Sequence, residues 1–183
     1  MGDEIVRRVI AVFGSHAPLP GSDDYEIGRQ LGRALASAGY AVATGGYSGM
    51  MSAASQGASE AGGLVIGVSS AQVESTRARR LNRWVEEHIH YKTLEERLLH
   101  LVKNNDGMVV LPGGIGTLSE FALAWSYIQV GEMSRRPLVL LGKMWSETLS
   151  AFAREEYIIQ EHLDLAFVAS GPLDVVEYIQ DYH

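Results

Sequence analysis

Hydrophobic positions along the 183-residue chain follow two alternating patterns. Short runs of mostly apolar residues are separated by longer segments in which apolar residues recur every three or four positions. The short runs are typical of buried strands, and the longer segments are typical of amphipathic helices. The predicted strands span residues 9–13, 41–44, 64–68, 87–91, 107–111, 137–141 and 165–169. The predicted helices span residues 22–38, 49–61, 93–105, 117–130, 145–159 and 172–182, and residues 69–85 are predicted to form a loop or lid.

The predicted strands alternate with helices along the whole chain. Continuous apolar strands between helices indicate a parallel sheet that is covered on both faces. We therefore predict an α/β fold: a single doubly wound, Rossmann-like domain over residues 1–183, with a mostly parallel sheet. In such sheets, ligands bind beyond the carboxyl ends of the strands, near the point where the strand order reverses.

Glycine-rich turns follow three of the predicted strands. Glycines leave backbone N–H groups accessible, and the next helix adds the positive end of its dipole, so such a turn suits a phosphate. Two or more of these turns at one edge of the sheet predict a site for a phosphorylated small molecule. The predicted phosphate- or nucleotide-binding residues are Gly14, Ser15, Gly45, Gly46, Gly49, Pro112, Gly113, Gly114, Gly116 and Thr117.

The common nucleotide fingerprints are missing from these turns. The G-x-x-x-x-G-K-[ST] pattern does not occur, which disfavours P-loop hydrolysis of ATP or GTP. The first strand is followed by Gly14, Ser15 and His16 rather than by G-x-G-x-x-G. The second strand ends without the acidic residue that would hold an adenosine ribose. A dinucleotide is therefore disfavoured, and no cofactor is expected.

Two charged side chains near the third turn each allow two interpretations. Thr117 and Glu120 have the spacing of a capping box, as have Thr93 and Glu96. Glu120 also lies one turn inside a helix that begins at the predicted phosphate, within a sugar's length of that anion. Arg97 borders an apolar helical stripe, where its stem can cover the core while its head lies in water. Its helix leads directly into the strand before the third turn, which favours a role in the site.

The composition disfavours or excludes several classes of function. The net charge of −7 disfavours a nucleic-acid surface, and the basic run 77–80 is interpreted as part of a solvated loop. No cysteine is present, which excludes disulfides and thiolate metal sites and favours a cytoplasmic location. The apolar run 9–13 is too short for a membrane span or a secretory signal, so no membrane partner is expected.

The nine residues from Pro112 to Glu120 match the pattern P-G-G-x-G-T-x-x-E. In this motif the chain resembles the Lonely Guy family of cytokinin riboside 5′-monophosphate phosphoribohydrolases, whose members are often mislabelled as lysine decarboxylases. The resemblance extends over nearly the whole chain, through residues 12–15, 45–51 and 62–68. Leu98 follows Arg97 where the family commonly has Arg-Lys, and the turn after the second strand is shorter than usual. The chain therefore resembles a divergent branch, similar also to a molybdenum cofactor carrier.

The resemblance implies a Rossmann-like homodimer that hydrolyses the N-glycosidic bond of a nucleoside 5′-monophosphate without a metal or organic cofactor. It implies that Gly113, Gly114, Gly116 and Thr117 hold the phosphate, and that Glu120 and Arg97 carry catalysis. The alternative is a non-catalytic carrier or sensor that binds a phosphorylated ligand.

Several other residues are weaker candidates. His88 and His90 would share one face of a strand, but two histidines without a further ligand are thin support for a metal site, and none is predicted. Tyr47 and His16 are candidates for contact with a base. The aromatic residues Trp125, Tyr127 and Trp145 are interpreted as core or dimer interface.

Overall fold

A computed structural model describes residues 7–77, with the side chain of Arg77 excepted, and residues 80–182. The described residues form one seven-stranded sheet in the order β4-β3-β2-β1-β5-β6-β7. All six strand pairs are parallel. The strands are β1 (Val9–Phe13), β2 (Ala41–Thr44), β3 (Val65–Ser70), β4 (Glu87–Tyr91), β5 (Gly107–Val110), β6 (Leu138–Leu141) and β7 (Phe167–Ala169).

Helices cover both faces of this sheet, which confirms the predicted doubly wound α/β class. One apolar core joins α1, α2 and α8 to the sheet, and a second core on the other face joins α4, α5 and α6 to it. No helix in the described ranges is long and apolar enough to cross a bilayer. The helices are α1 (Asp23–Ser37), α2 (Met50–Glu60), α3 (Ala71–Arg77), α4 (Leu94–Lys103), α5 (Ile115–Gln129), α6 (Lys143–Phe152), α7 (Gln160–Leu163) and α8 (Pro172–Asp181).

The strand order reverses at the centre of the sheet, between β1 and β5. From β1 the chain builds outward through β2, β3 and β4, and then returns to place β5 on the other side of β1. Phe13 at the end of β1 pairs with Val110 at the end of β5, so the two strands end at the same level. The turns that follow them flank the crevice where ligands bind in sheets of this kind.

The predicted loop over residues 69–85 is partly wrong. Ser69 and Ser70 are polar, yet they extend β3 because they pair with His90 and Tyr91 of β4. The chain then forms α3, and of the described residues that follow in this segment, 80–85 belong to no helix or strand. Ala78 and Arg79, in the basic run predicted to be solvated, lie outside the described residues.

Two predicted helices have different ends from those expected. Helix α5 begins two residues earlier, at Ile115, with Gly114 as its N-cap. Helix α6 begins at Lys143 and ends at Phe152, because Ala153 adopts an extended conformation that stops it.

Candidate functional site

The turns after β1, β2 and β5 are tied to one another by backbone hydrogen bonds. The amide of Ser15 donates to the carbonyl of Pro112 at 3.0 Å, and the amide of Met50 donates to the carbonyl of Ser15 at 2.7 Å. Gly49 has a φ of 70°, and a Cβ there would overlap the carbonyl oxygen of Ser15. Only glycine fits both the conformation and the space. The structure thus brings the three predicted glycine turns together at one edge of the sheet.

The turn after β5 presents the amino end of α5 to solvent. No side chain caps this helix, and Gly114 and Gly116 have open space where a side chain would be. In the described part of the chain, the amides from Gly113 to Thr117 donate no hydrogen bond to another loop or to a side chain. A Cβ on Gly113 would overlap the Thr117 hydroxyl, so glycine lets the turn close onto the helix. Exposed first-turn amides of this kind bind anions.

The capping interpretation of Glu120 is wrong. Since α5 starts at Ile115, Thr117 is already its third residue and Glu120 lies in its second turn. Thr93 and Glu96 do form the predicted capping box at the start of α4, with both reciprocal bonds present. The carboxyl of Glu120 shares the buried face of α5 with Thr117, three residues away.

Arg97 is held inside the protein rather than in water. Its residue exposure is 7%, and its Nε donates to the carbonyl oxygen of Val68 at 2.9 Å. Its guanidinium carbon lies 5.6 Å from the centre of the Tyr47 ring, within the range of a cation–π contact. The interpretation that the guanidinium of Arg97 lies in water is therefore wrong. The buried stripe of α4 includes Arg97 itself, whereas Leu94 is 47% exposed.

Arg97 and Glu120 face each other across the gap between α4 and α5. Arg97 Nη1 lies 3.7 Å from Glu120 Oε1, and only about a tenth of each side chain is exposed. Burial raises the pKa of Glu120 to about 7, and the neighbouring Arg97 charge opposes that rise. A carboxyl with a pKa near neutrality, next to a fixed cation, is typical of functional sites.

The turn after β2 is folded inward. The amide of Gly46 donates to the hydroxyl of Thr44 at 3.0 Å. The carbonyl of Gly46 accepts from the backbone of Asn82 at 2.7 Å and from its side chain at 3.1 Å. The side-chain amide of Asn82 also donates to the carbonyl of Tyr47. Asn82 could not be predicted from the sequence, since no motif marks an anchor 36 residues from its partner.

Tyr47 does not present its ring to a bound base, because only 1% of the residue is exposed. Its hydroxyl accepts a hydrogen bond from the amide of Ser70 at 3.2 Å. Trp145 belongs to the core with 2% exposure, and its indole N–H donates to the carbonyl of Leu111 at 3.0 Å. Trp125 and Tyr127 are partly buried against the same core.

His88 and His90 share one face of β4, as predicted. Each has a ring nitrogen within hydrogen-bond distance of the Ser69 hydroxyl, at 2.8 Å and 2.7 Å. Glu74 is 3.9 Å from His90. Among the described residues, no group of three or more histidines, cysteines or acidic residues has the arrangement of a metal site.

A cavity of about 890 Å³ opens beside the turn after β5, on the face covered by α1 and α2. Pro112, Met50 and Gly142 are among its lining residues, whereas Glu120 and Arg97 are not. The cavity and the buried ion pair are therefore separate features of this edge of the sheet.

Comparison with known proteins identifies the family. The SLOG cluster4 family matches residues 7–165. The chain belongs to that family. A cytokinin riboside 5′-monophosphate phosphoribohydrolase of Mycobacterium marinum is 27% identical to it, over 93% of this chain and 97% of that protein. The enzyme of the same name from Mycobacterium tuberculosis is 29% identical, over 76% of this chain and 71% of that protein.

Solved structures resemble this SLOG cluster4 protein in fold. The molybdenum cofactor binding protein of Rippkaea orientalis superimposes with a TM-score of 0.75 and 28% identity, over 96% of this chain and 97% of that one. The molybdenum cofactor carrier protein of Chlamydomonas reinhardtii has a TM-score of 0.72 and 23% identity, over 95% and 96% of the two chains. The Rossmann-like fold is thereby confirmed.

Proposed function

We propose that this SLOG cluster4 protein is a nucleoside 5′-monophosphate phosphoribohydrolase, which releases a free base and ribose 5-phosphate. The observation that carries the proposal is the buried pair of Glu120 and Arg97, one turn of helix from a row of exposed amides. The relatives named as phosphoribohydrolases support the same reaction.

In this proposal the phosphate is held by the amides and the hydroxyl of residues 113–117. The other predicted binding residues contribute mainly to the shape of the site. The amide of Ser15 is already bonded to Pro112, and that of Gly46 to Thr44, whereas Gly49 allows the turn after β2 to meet that after β1. Gly14 is confined by Met50, whose Cβ would lie 2.7 Å from a Cβ at position 14.

Glu120 stabilises the positive charge that develops on the ribose ring as the C1′–N bond breaks. A water oxygen then bonds to C1′. The proton that this water loses ends on the nitrogen of the base, which therefore leaves as a neutral molecule. Arg97 is assigned the role of a fixed cation and hydrogen-bond donor rather than that of a general acid. Its place beside Glu120 suits it to fix the carboxylate and to bind a ribose hydroxyl or the phosphate.

A second candidate function is that of a carrier for a phosphorylated ligand such as the molybdenum cofactor. The similarity to the Rippkaea orientalis protein over 96% of this chain favours it. The exposed amides suit the phosphate of either ligand. The carrier function, however, requires no carboxylate buried beside an arginine.

The two functions are separated by incubating the protein with a panel of nucleoside monophosphates and measuring the free base by chromatography. The enzyme releases base, whereas a carrier binds without turnover. Glu120→Gln should lower the rate by at least about 10²-fold, since one charge-stabilising group is removed, and should still bind ribose 5-phosphate. Unchanged hydrolysis of AMP by Glu120→Gln would exclude the proposed role of this residue.

We also propose that the protein acts as a homodimer, which the Lonely Guy resemblance implies, and that it works in the cytoplasm, which the lack of cysteine favours. Light scattering coupled to size-exclusion chromatography gives the mass in solution directly. A mass near that of one 19.9-kDa chain would contradict the dimer.

A further inference from the structure

Gly45 lies directly against the guanidinium of Arg97. A Cβ built on Gly45 would overlap Arg97 Nη2 and would come within 2.7 Å of the sulfur of Met51. Real Cβ atoms essentially never approach another heavy atom more closely than 3.0 Å. The space that a side chain at position 45 would need is therefore occupied by the head of the arginine.

The same guanidinium is fixed on its other sides. Its Nε donates to the carbonyl of Val68 on β3, the Tyr47 ring lies 5.6 Å away, and Nη1 points to Glu120 at 3.7 Å. Position 45 is thus one wall of a narrow slot. On this side, Arg97 Nη2 fills the place that a side chain at position 45 would take.

We propose that Gly45 is a positioning residue, whose missing side chain allows Arg97 to reach the place beside Glu120 that the reaction requires. This inference rests on the proposed hydrolase function. It gives Gly45 a role different from the predicted contact with the nucleotide, since what Gly45 touches is the arginine.

Gly45→Ala is a clean perturbation of this slot. Gly45 has no positive φ, so alanine can adopt its backbone conformation. The atoms that an alanine would meet are the far ends of the flexible side chains of Arg97 and Met51, rather than backbone. The fold therefore adapts by moving the guanidinium on the order of 1 Å, a displacement that costs about 10²-fold in rate when a catalytic group is misplaced.

The first measurement is the hydrolysis of a nucleoside monophosphate by Gly45→Ala. We expect kcat to fall about 10²-fold. Gly171→Ala is the matched control, since a Cβ there has nothing within 4 Å and the φ of −172° suits any residue. If Gly45→Ala keeps the rate of this control, the proposal is overturned.

The second measurement tests whether the effect passes through Arg97. In Arg97→Lys the Nη2 atom is gone, so adding Gly45→Ala should lower the rate by less than about threefold, a strong departure from additivity. A further 10²-fold loss in that background would show that Gly45 acts on something else.

The third measurement does not depend on turnover. In ¹⁵N-labelled protein, the buried and hydrogen-bonded Nε–H of Arg97 should give a slowly exchanging resonance, assigned by its absence in Arg97→Lys. Gly45→Ala should shift this resonance or broaden it, whereas Gly171→Ala should not. If no nucleoside monophosphate is hydrolysed by the unmodified protein, the proposed function fails while this resonance still decides the position of the guanidinium. An unchanged resonance in Gly45→Ala overturns the inference.

Discussion

The free energy of unfolding of Glu120→Gln should increase relative to that of the unmodified protein as the pH rises. Burial of the carboxyl raises its pKa from 4.5 to about 7, even though Arg97 opposes the rise. In the unfolded chain the same group has its ordinary pKa. The stabilising contribution of the bound proton is therefore fully present below pH 4.5 and is lost as the pH approaches 7.

The size of the effect follows from that interval. One pKa unit corresponds to about 1.4 kcal/mol, so the free energy of unfolding of the unmodified protein should fall by about 3 kcal/mol relative to Glu120→Gln between pH 4.5 and 8. Glutamine has nearly the same shape and does not titrate, and the other ionisable groups are common to both proteins. The residual exposure of the side chain, 10%, is too small for solvent to screen the effect away.

Urea unfolding of both proteins at several pH values between 5 and 8 measures this difference. Glu147→Gln is the control, because Glu147 is 64% exposed in a surface pair with Lys143 and should contribute at most about 1 kcal/mol at any of these pH values. The raised pKa of Glu120 is refuted if the difference in unfolding free energy between the unmodified protein and Glu120→Gln stays constant within about 0.5 kcal/mol, or changes in the opposite direction.

Further outcomes are expected for hydrolysis, for ligand binding and for stability. The rate of hydrolysis should increase as the pH rises through the pKa of Glu120, since the carboxylate is the form that stabilises a cationic ribose. Arg97→Met should move the midpoint of this pH–rate profile upward, because the Arg97 charge lowers that pKa. A pH–rate profile for each protein checks both predictions. Gly116→Glu should weaken the binding of ribose 5-phosphate at least about tenfold, as measured by calorimetry, because the new carboxylate repels the anion. The melting temperature should be unchanged or higher, because a carboxylate in the first turn stabilises the helix. Trp145→Phe should lower the free energy of unfolding by about 1–3 kcal/mol in urea, because the buried carbonyl of Leu111 loses its donor.

Much of the fold could be predicted from local pattern alone. The strands at Val9–Phe13 and Ala41–Thr44 are short, mostly apolar runs followed by glycines, and the structure gives them the predicted bounds. The extension of β3 through Ser69 and Ser70 could not be predicted, because polar residues there are held by pairing with β4 rather than by their own propensity. The start of α5 could not be predicted either, because Gly114 and Gly116 are not typical of a helix start and no side chain caps this helix.

The candidate site was predictable in its residue types and less so in their surroundings. The pattern from Pro112 to Glu120 marks the turn and the acid, and the position of Arg97 follows from its place before that turn. Other features of Arg97 depend on tertiary structure and could not be predicted: the burial of its guanidinium, its hydrogen bond to Val68 and its contact with Gly45. The same is true of Asn82, which holds the turn after β2 from a distant part of the chain.

The placement of β1 between β2 and β5 also bears on how the protein acquires its ligand. Ile10 in β1 pairs with Gly107 in β5, so the central crevice closes only after nearly a hundred residues of intervening chain have been organised. Pairing across such a long separation is entropically costly and slow. A ligand bound in that crevice should therefore stabilise only chains that have completed their fold, and a ribosome-bound chain that has not yet emerged past α5 should have no affinity for it.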